Sequence, residues 1–187
     1  MLRIDYQIIV RDYDAVPGES GHFQITCGPL QYGEFWPPEI SMHMATCRLR
    51  SWFLPLAEAL LALKEEGYAA FIDPERYRGW LEFTCADGLV RLNIADAEAT
   101  EQPFFLRRGR SGRFPDHVPR VFPDDVSCPY RQLRDEIAEK TARYLSEIRT
   151  LNPSLFSGSA TPGREQEAFL ANISRLESML ADMMRPD

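Results

Sequence analysis

Residues 80–94 read WLEFTCADGLVRLNI, two runs of β-forming residues separated by Asp87-Gly88. Asp-Gly between two such runs is a strong hairpin signal, because a type I′ turn requires positive φ at both central residues. With this turn fixed, each residue of the first run faces one defined residue of the second. The predicted apolar pairs are Leu81 with Ile94, Phe83 with Leu92, and Cys85 with Val90.

The same register pairs Glu82 with Asn93 and Thr84 with Arg91 on the opposite face. One face of the hairpin is therefore apolar and the other polar, and a slip of one residue would exchange them. The sequence predicts a β-hairpin with one buried face.

An amphipathic helix is predicted just before this hairpin. Ser51 is its expected N-cap, Pro55 is expected in its first turn, and Gly67 supplies a left-handed stop. Residues 68–72 then read as a strand that connects the helix to the hairpin. The helical stripe that should pack on the sheet consists of Leu56, Ala59, Leu60 and Leu63.

Three further strands are predicted in the first 50 residues, at 2–10, 22–27 and 39–49. The first alternates between apolar and polar residues, as a half-buried strand does. The third carries bulky residues at both parities, which is typical of a strand buried on both faces, so we place it centrally in the sheet. Residues 28–38 are predicted to form a loop, because they are rich in Gly and Pro.

From Ser127, the expected N-cap of the next helix, the pattern becomes helical, with helices expected at 128–150 and 163–184 and a linker at 152–163. The predicted class is α+β: a mostly antiparallel sheet of about six strands, one helix packed on it, and a C-terminal antiparallel helical hairpin. Residues 1–126 would form the sheet-plus-helix domain, and 127–187 would pack on it as part of a single structural unit. A homodimer through the last helix is an alternative, because its heptad seam comprises Phe169, Ile173, Leu176, Leu180 and Met183.

The bulk composition is that of an ordinary globular domain: 187 residues, 44% hydrophobic and 26% charged. A net charge of −7 disfavours general binding to nucleic acids. The chain start lacks the apolar stretch of a signal peptide, and no apolar window is long enough to span a bilayer. We therefore expect a cytoplasmic protein without membrane association. Its four cysteines are widely spaced, which argues against a disulfide framework.

No recognised catalytic or nucleotide-binding motif occurs in the chain. The best metal candidates are His22, Cys27, His43 and Cys47. His22 and Cys27 are an odd number of positions apart on one strand and so point to opposite faces. The sequence thus predicts no metal, no cofactor and no catalytic residue. It leaves open an enzyme or small-ligand site assembled from residues distant in sequence.

Positive charge is concentrated in residues 107–120, where five Arg and one Asp give +4 and leave −11 on the rest of the chain. Arginine forks suit carboxylates and phosphates, so this segment is a candidate site for an anion, a nucleic-acid backbone or an acidic partner surface. A solvated loop is the alternative reading. The candidate contacts are Arg107, Arg108, Arg110 and Arg113.

Two other stretches are candidate partner-binding surfaces. Tyr32, Phe35 and Trp36 lie on the predicted loop, where they would either form a recognition surface or cap the core. Asp96, Glu98 and Glu101 form an acidic stretch that would suit a basic partner. The sequence does not decide between the arginine segment and the acidic stretch.

The pattern WLEFTxxDGxVxL at residues 80–92, with an amphipathic helix before it and a helix after it, resembles a known class of proteins. These are the small cytoplasmic α+β immunity proteins of bacterial polymorphic toxin systems, together with related uncharacterised families. The resemblance implies a non-catalytic protein that binds a toxin and occludes it. It implies no catalytic residues.

Overall fold

The computed structural model describes residues 1–12, 14–74, 78–98, 106–122, 126–159 and 161–185. The strands are β1 (Leu2–Ile8), β2 (Ser20–Cys27), β3 (Leu30–Glu34), β4 (Cys47–Arg48), β5 (Tyr68–Ile72), β6 (Arg78–Ala86), β7 (Leu89–Glu98), β8 (Leu106–Arg108) and β9 (Ser127–Pro129). The helices are α1 (Pro38–Ser41), α2 (Arg50–Glu66), α3 (Gly109–Gly112), α4 (Tyr130–Leu151), α5 (Pro153–Phe156) and α6 (Arg164–Met183).

The α+β class is confirmed, with the strands divided between two antiparallel sheets. One sheet has the order β1-β2-β3, with β4 also pairing with β2, and the other has the order β8-β5-β6-β7-β9. Helix α2 packs on β5 and β6 and also contacts α4 and α6. Side chains from both sheets and from α2, α4 and α6 belong to one hydrophobic core, which therefore spans both predicted parts of the chain.

The predicted hairpin is confirmed residue by residue. Asp87 and Gly88 have φ values of 52° and 73°, as a type I′ turn requires. The β6–β7 register contains the three predicted apolar pairs and the two predicted polar pairs. All the residues of the apolar face are buried except Cys85, which is half-buried near the turn.

Helix α2 is also confirmed, but its start differs from the prediction. Its N-cap is Leu49, whose carbonyl accepts hydrogen bonds from the N–H groups of Trp52 and Phe53. Ser51 is therefore inside the helix, and Pro55 lies beyond the first turn, where its missing N–H removes one helical bond. Gly67 ends the helix with φ 70°, as predicted.

The predicted central strand at 39–49 is wrong. Residues 38–41 form the short helix α1, and only Cys47–Arg48 pairs as a strand. Pro38 has a fixed φ and no N–H, so it suits the first position of a helix and not a sheet ladder. Ile40 and Met42 are exposed, so the bulky residues at both parities did not signal burial.

The predicted loop at 28–38 contains a strand that the Gly and Pro count concealed. Leu30–Glu34 forms β3, which pairs with β2 through a tight turn at Gly28. Leu30 is fully buried and fixes the strand in the core. Gly33 has φ 87° and lies against the Phe23 carbonyl, so this glycine supports strand pairing.

The C-terminal helices α4 and α6 are antiparallel, as predicted. Arg149 near the end of α4 forms an ion pair of 2.6 Å with Glu177, and Met183 near the end of α6 borders a groove beside Arg134. Ser127 is not the N-cap of α4, because residues 127–129 pair with β7 as strand β9 and Pro129 is the N-cap. The predicted linker contains the short helix α5.

The heptad seam of α6 faces the core of the chain itself. Its members Phe169, Ile173, Leu176 and Met183 are buried, and Leu180 is half-buried against the same core. Four of these five side chains are consequently occupied within one chain, and a homodimer through this helix stays a prediction. Among the described residues, no helix is long and apolar enough to cross a membrane.

Cys27 of β2 and Cys128 of β9 are free, buried cysteines that lie where the two sheets meet. The Cys27 Sγ atom lies 3.6 Å from the carbonyl oxygen of Ser127. Burial raises the pKa of both thiols, that of Cys128 to about 12.

Because the thiolate is the reactive form, we expect iodoacetamide at mildly alkaline pH to label half-buried Cys47 well before Cys27 or Cys128. Peptide mapping with and without denaturant measures this order, and equal labelling of Cys47 and Cys128 in the native protein would contradict it.

Candidate functional site

The polar face of the hairpin is covered by residues 106–122, which we call the arginine segment. It begins with β8, which pairs with β5 at the edge of the five-stranded sheet, and continues through α3 and an extended stretch. Glu82, predicted to lie on the polar face, is only 7% exposed beneath this cover. The arginine segment is therefore packed on the sheet and is not a free loop.

A second, smaller apolar cluster holds the arginine segment in place. Phe114 inserts between the segment and the sheet, with its ring 5.4 Å from that of Trp80 in an edge-to-face arrangement. The residues of this cluster are Tyr68, Ala70, Ile72, Trp80, Ala95 and Phe114.

Arg120 fastens the end of the arginine segment to the sheet. Its Nε and Nη2 donate to the two carboxylate oxygens of Glu82 at 3.0 and 3.1 Å. Its Nη1 donates to the carbonyls of Pro115 and Val118, and Nη2 donates again to the carbonyl of Phe114. These contacts use all five N–H donors of the guanidinium, so Arg120 is committed to the fold.

Tyr68 completes this buried polar group. Its hydroxyl donates to Glu82 at 2.8 Å and accepts from the Phe114 N–H at 3.3 Å. Burial, and then the negative charge of Glu82, raise the pKa of Tyr68 well above its usual range. The hydrogen bond from Arg120 to Glu82 likewise raises the pKa of Arg120. The phenol is therefore neutral and the guanidinium charged at physiological pH, and their hydrogen bonds to Glu82 make the group a structural lock between the arginine segment and the sheet.

Arg107 is also directed inward. Its Nε donates to the Gly112 carbonyl at 2.7 Å, and its guanidinium lies 4.2 Å over the centre of the Phe114 ring. A cation on an aromatic face at this distance adds to the packing. Arg107, a predicted partner contact, thus holds the short helix α3 against Phe114.

The other three predicted arginines point outward. The Arg108 side chain is 64% exposed, and its Nε forms an ion pair of 3.4 Å with Oε1 of Glu66. Arg110 is exposed, and Arg113 is exposed with its guanidinium 5.3 Å from the centre of the Tyr68 ring. We call Arg108, Arg110 and Arg113 the outer arginines. The chain therefore presents three cations on a segment whose backbone is fixed by inward contacts.

A cavity of about 440 Å³ opens where the arginine segment meets the hairpin end of the sheet. Arg91 of β7 contributes to it, although sequence reasoning did not select this residue. The signal was available, because the predicted register places Arg91 opposite Thr84 on the polar face. The lining residues are Tyr68, Glu82, Thr84, Arg91, Leu92, Asn93, Arg113, Phe114, Asp116 and Arg120.

The predicted aromatic surface is divided by the fold. Tyr32 lies on β3, is half-buried, and donates a hydrogen bond of 2.7 Å to Asp73. Trp36 is half-buried, and Phe35 is 38% exposed. Of the three, Phe35 has the largest exposed fraction, and a role in binding stays a prediction.

The predicted acidic stretch is described only in part. Asp96 is exposed on β7 and Glu98 ends that strand, while Glu101 lies outside the described residues. Its role in binding also stays a prediction.

The four metal candidates do not converge. His22 is buried with Nε2 3.0 Å from the Ser41 carbonyl, Cys27 is buried in the core, and His43 is exposed. Within the described ranges, no group of three or more His, Cys, Asp or Glu side chains could hold a metal ion.

Comparison with known proteins gives no relative on which to base an identity: no family model, no curated protein and no solved structure matches this chain.

Proposed function

We propose that this chain is a non-catalytic cytoplasmic protein-binding domain that docks an acidic surface of its partner through the outer arginines. One observation carries the proposal. Arg107 and Arg120 direct their guanidinium groups into the fold and fix the arginine segment, whereas the outer arginines extend from the same segment into solvent.

A fixed segment favours binding, because less conformational freedom is lost when a partner docks. Arginine is enriched at interface hot spots, since its planar fork forms paired hydrogen bonds with carboxylates. Arg110 and Arg113 form no ion pair within the described ranges, and Arg108 forms one of 3.4 Å with Glu66 at the surface. An exposed ion pair of this kind is weak, so the outer arginines retain this capacity.

The charge distribution also supports an acidic partner surface. The segment at 107–120 carries +4 on a chain whose remaining residues carry −11. An acidic surface is attracted to this segment and repelled elsewhere, which orients the partner during encounter.

The resemblance to immunity proteins supplies a narrower form of the proposal, in which the partner is a toxin that the chain neutralises by occlusion. The product of a gene adjacent to the one that encodes this chain is the first partner to test. Binding of that product, together with loss of its toxicity on co-expression, is the expected result.

Changing Arg108, Arg110 and Arg113 together to alanine should weaken partner binding and reduce its dependence on salt. The melting temperature of the variant should change little, because these side chains are exposed. The measurement is affinity capture from the source organism, followed by salt-titrated affinity for the purified partner. The matched control is Arg164→Ala, which removes an exposed arginine at the start of α6.

Unchanged affinity and salt dependence in the triple variant would refute docking through the outer arginines. Charge reversal at Asp96, Glu98 and Glu101 tests the competing acidic stretch. If only this reversal weakens the complex, the partner surface is basic and the proposal is wrong.

A further inference from the structure

The cavity beside the outer arginines has a defined floor. The strand registers place Thr84 directly opposite Tyr68 on one side and opposite Arg91 on the other. Directly paired residues on neighbouring antiparallel strands have their Cβ atoms about 4.5–5.5 Å apart. The Thr84 side chain therefore lies between those of Tyr68 and Arg91 on the covered face of the sheet.

Two arginines line the cavity together with this threonine. The Arg113 guanidinium lies 5.3 Å from the centre of the Tyr68 ring, and Arg91 is the cross-strand neighbour of Thr84. Neither arginine forms an ion pair within the described part of the chain. Their hydrogen-bond donors are thus available to a ligand in the cavity.

The charges of the described residues that line the cavity sum to a single positive charge. Arg120 and Glu82 neutralise each other through two hydrogen bonds, so neither attracts an anion strongly. Arg91 and Arg113 then contribute two positive charges, and exposed Asp116 contributes one negative charge. This balance suits a monoanion, since Asp116 opposes the second charge of a phosphate dianion.

We propose that this cavity receives the carboxylate of one acidic side chain of the partner, seated over the Thr84 hydroxyl between Arg91 and Arg113. Arginine binds carboxylates through charge-assisted hydrogen bonds, and a hydroxyl donor adds a third contact. A volume of about 440 Å³ accommodates the whole aspartate or glutamate side chain. The inference rests on the proposed function and specifies the anchor that the partner inserts.

The test uses the purified full chain and NMR signals of the arginine Nε–H groups. The probes are a hexaglutamate peptide, a hexaglutamine peptide and inorganic phosphate, each titrated to millimolar concentration. We expect hexaglutamate to shift the signals of Arg91 and Arg113 to saturation, hexaglutamine to shift neither, and phosphate to bind more weakly than hexaglutamate.

Variants separate the cavity from the wider arginine surface. Arg91→Ala should weaken hexaglutamate binding about tenfold, the effect of one charge-assisted contact, and Thr84→Val should weaken it less. Arg164→Ala is the control and should leave the affinity unchanged. Arg91 is not one of the outer arginines, so its effect reports on the cavity alone.

Three outcomes would overturn this proposal. Shifts at Arg108 and Arg110 without shifts at Arg91 and Arg113 would exclude the cavity as the carboxylate site but would still support docking through the outer arginines. Binding of phosphate more tightly than hexaglutamate would indicate that the cavity takes a phosphoryl group and not a carboxylate. The absence of any arginine shift with hexaglutamate would count against both the cavity and the proposed function.

Discussion

Replacing Arg120 with alanine should lower the free energy of unfolding by about 3–5 kcal/mol, the cost of breaking a buried ion pair from one side. The substitution leaves the Glu82 carboxylate, which is 7% exposed, without its cation. It also removes the hydrogen bonds that Arg120 donates to the carbonyls of Phe114, Pro115 and Val118. Chemical denaturation followed by circular dichroism measures the loss.

A double-mutant cycle with Glu82→Gln tests the cause of this loss. If the uncompensated charge dominates, the double variant should be more stable than Arg120→Ala alone, since no buried carboxylate remains unpaired. A loss below about 1 kcal/mol for Arg120→Ala would place the pair among ordinary surface ion pairs and contradict the buried lock. Arg120→Lys should restore only part of the stability, because an ammonium group cannot replace five donors held in one plane.

Replacing Phe83 with alanine should cost about 3–5 kcal/mol, the range for emptying a buried aromatic position. Phe83 is 2% exposed, lies opposite Leu92 in the hairpin, and its ring is 6.2 Å from that of Phe71. The core around it contains helix α2 and both sheets and so cannot close the cavity without shifting several elements. Thermal or urea unfolding of the variant measures the effect.

Thr84→Ala is the matched control for this prediction. Thr84 is the next residue of the same strand, but it is half-buried on the opposite face and should change stability by no more than about 0.5 kcal/mol. Comparable losses in the two variants would show that the hairpin depends on strand propensity and not on burial of the Phe83 face.

The hairpin and helix α2 were predictable from sequence because their signals are local. Asp87-Gly88 fixes the turn, the turn fixes the register, and the register fixes which residues face the core. Helix α2 likewise depends on a stripe of leucines and a terminal glycine within one short stretch. Its start was predicted less well, since Leu49 begins the helix without a side-chain cap that a sequence pattern could reveal.

Residues 28–49 were predicted poorly because their local signals conflict. Glycine and proline suggested a loop where Leu30–Glu34 forms a strand, and bulky residues suggested a strand where α1 and an irregular stretch occur. Tertiary contacts settle both cases: Leu30 reaches the core, while Ile40 and Met42 remain at the surface. Hydrophobicity alone does not distinguish these two fates.

The candidate site was predictable in composition but not in geometry. The arginine run is evident in the sequence, yet Arg120 turns inward because it pairs with Glu82, 38 residues earlier in the chain, and Arg107 because it packs on Phe114. The sequence pattern places Glu82 on the polar face of a hairpin that was predicted to bury only its other face. No local signal in the sequence indicates that the arginine segment returns to cover Glu82.

The hairpin turn has one further consequence, which concerns the order in which the chain folds. The Gly88 carbonyl accepts a hydrogen bond of 2.8 Å from the Tyr130 N–H, and residues 127–129 pair with β7 just beyond the turn. The turn and the adjoining edge of β7 thus form the docking point for the start of α4. Synthesis proceeds from the N-terminus, so a nascent chain contains this docking point in full before residue 127 is added. The hairpin closes through local contacts, which form quickly, and the C-terminal helices then need only to add to an existing edge.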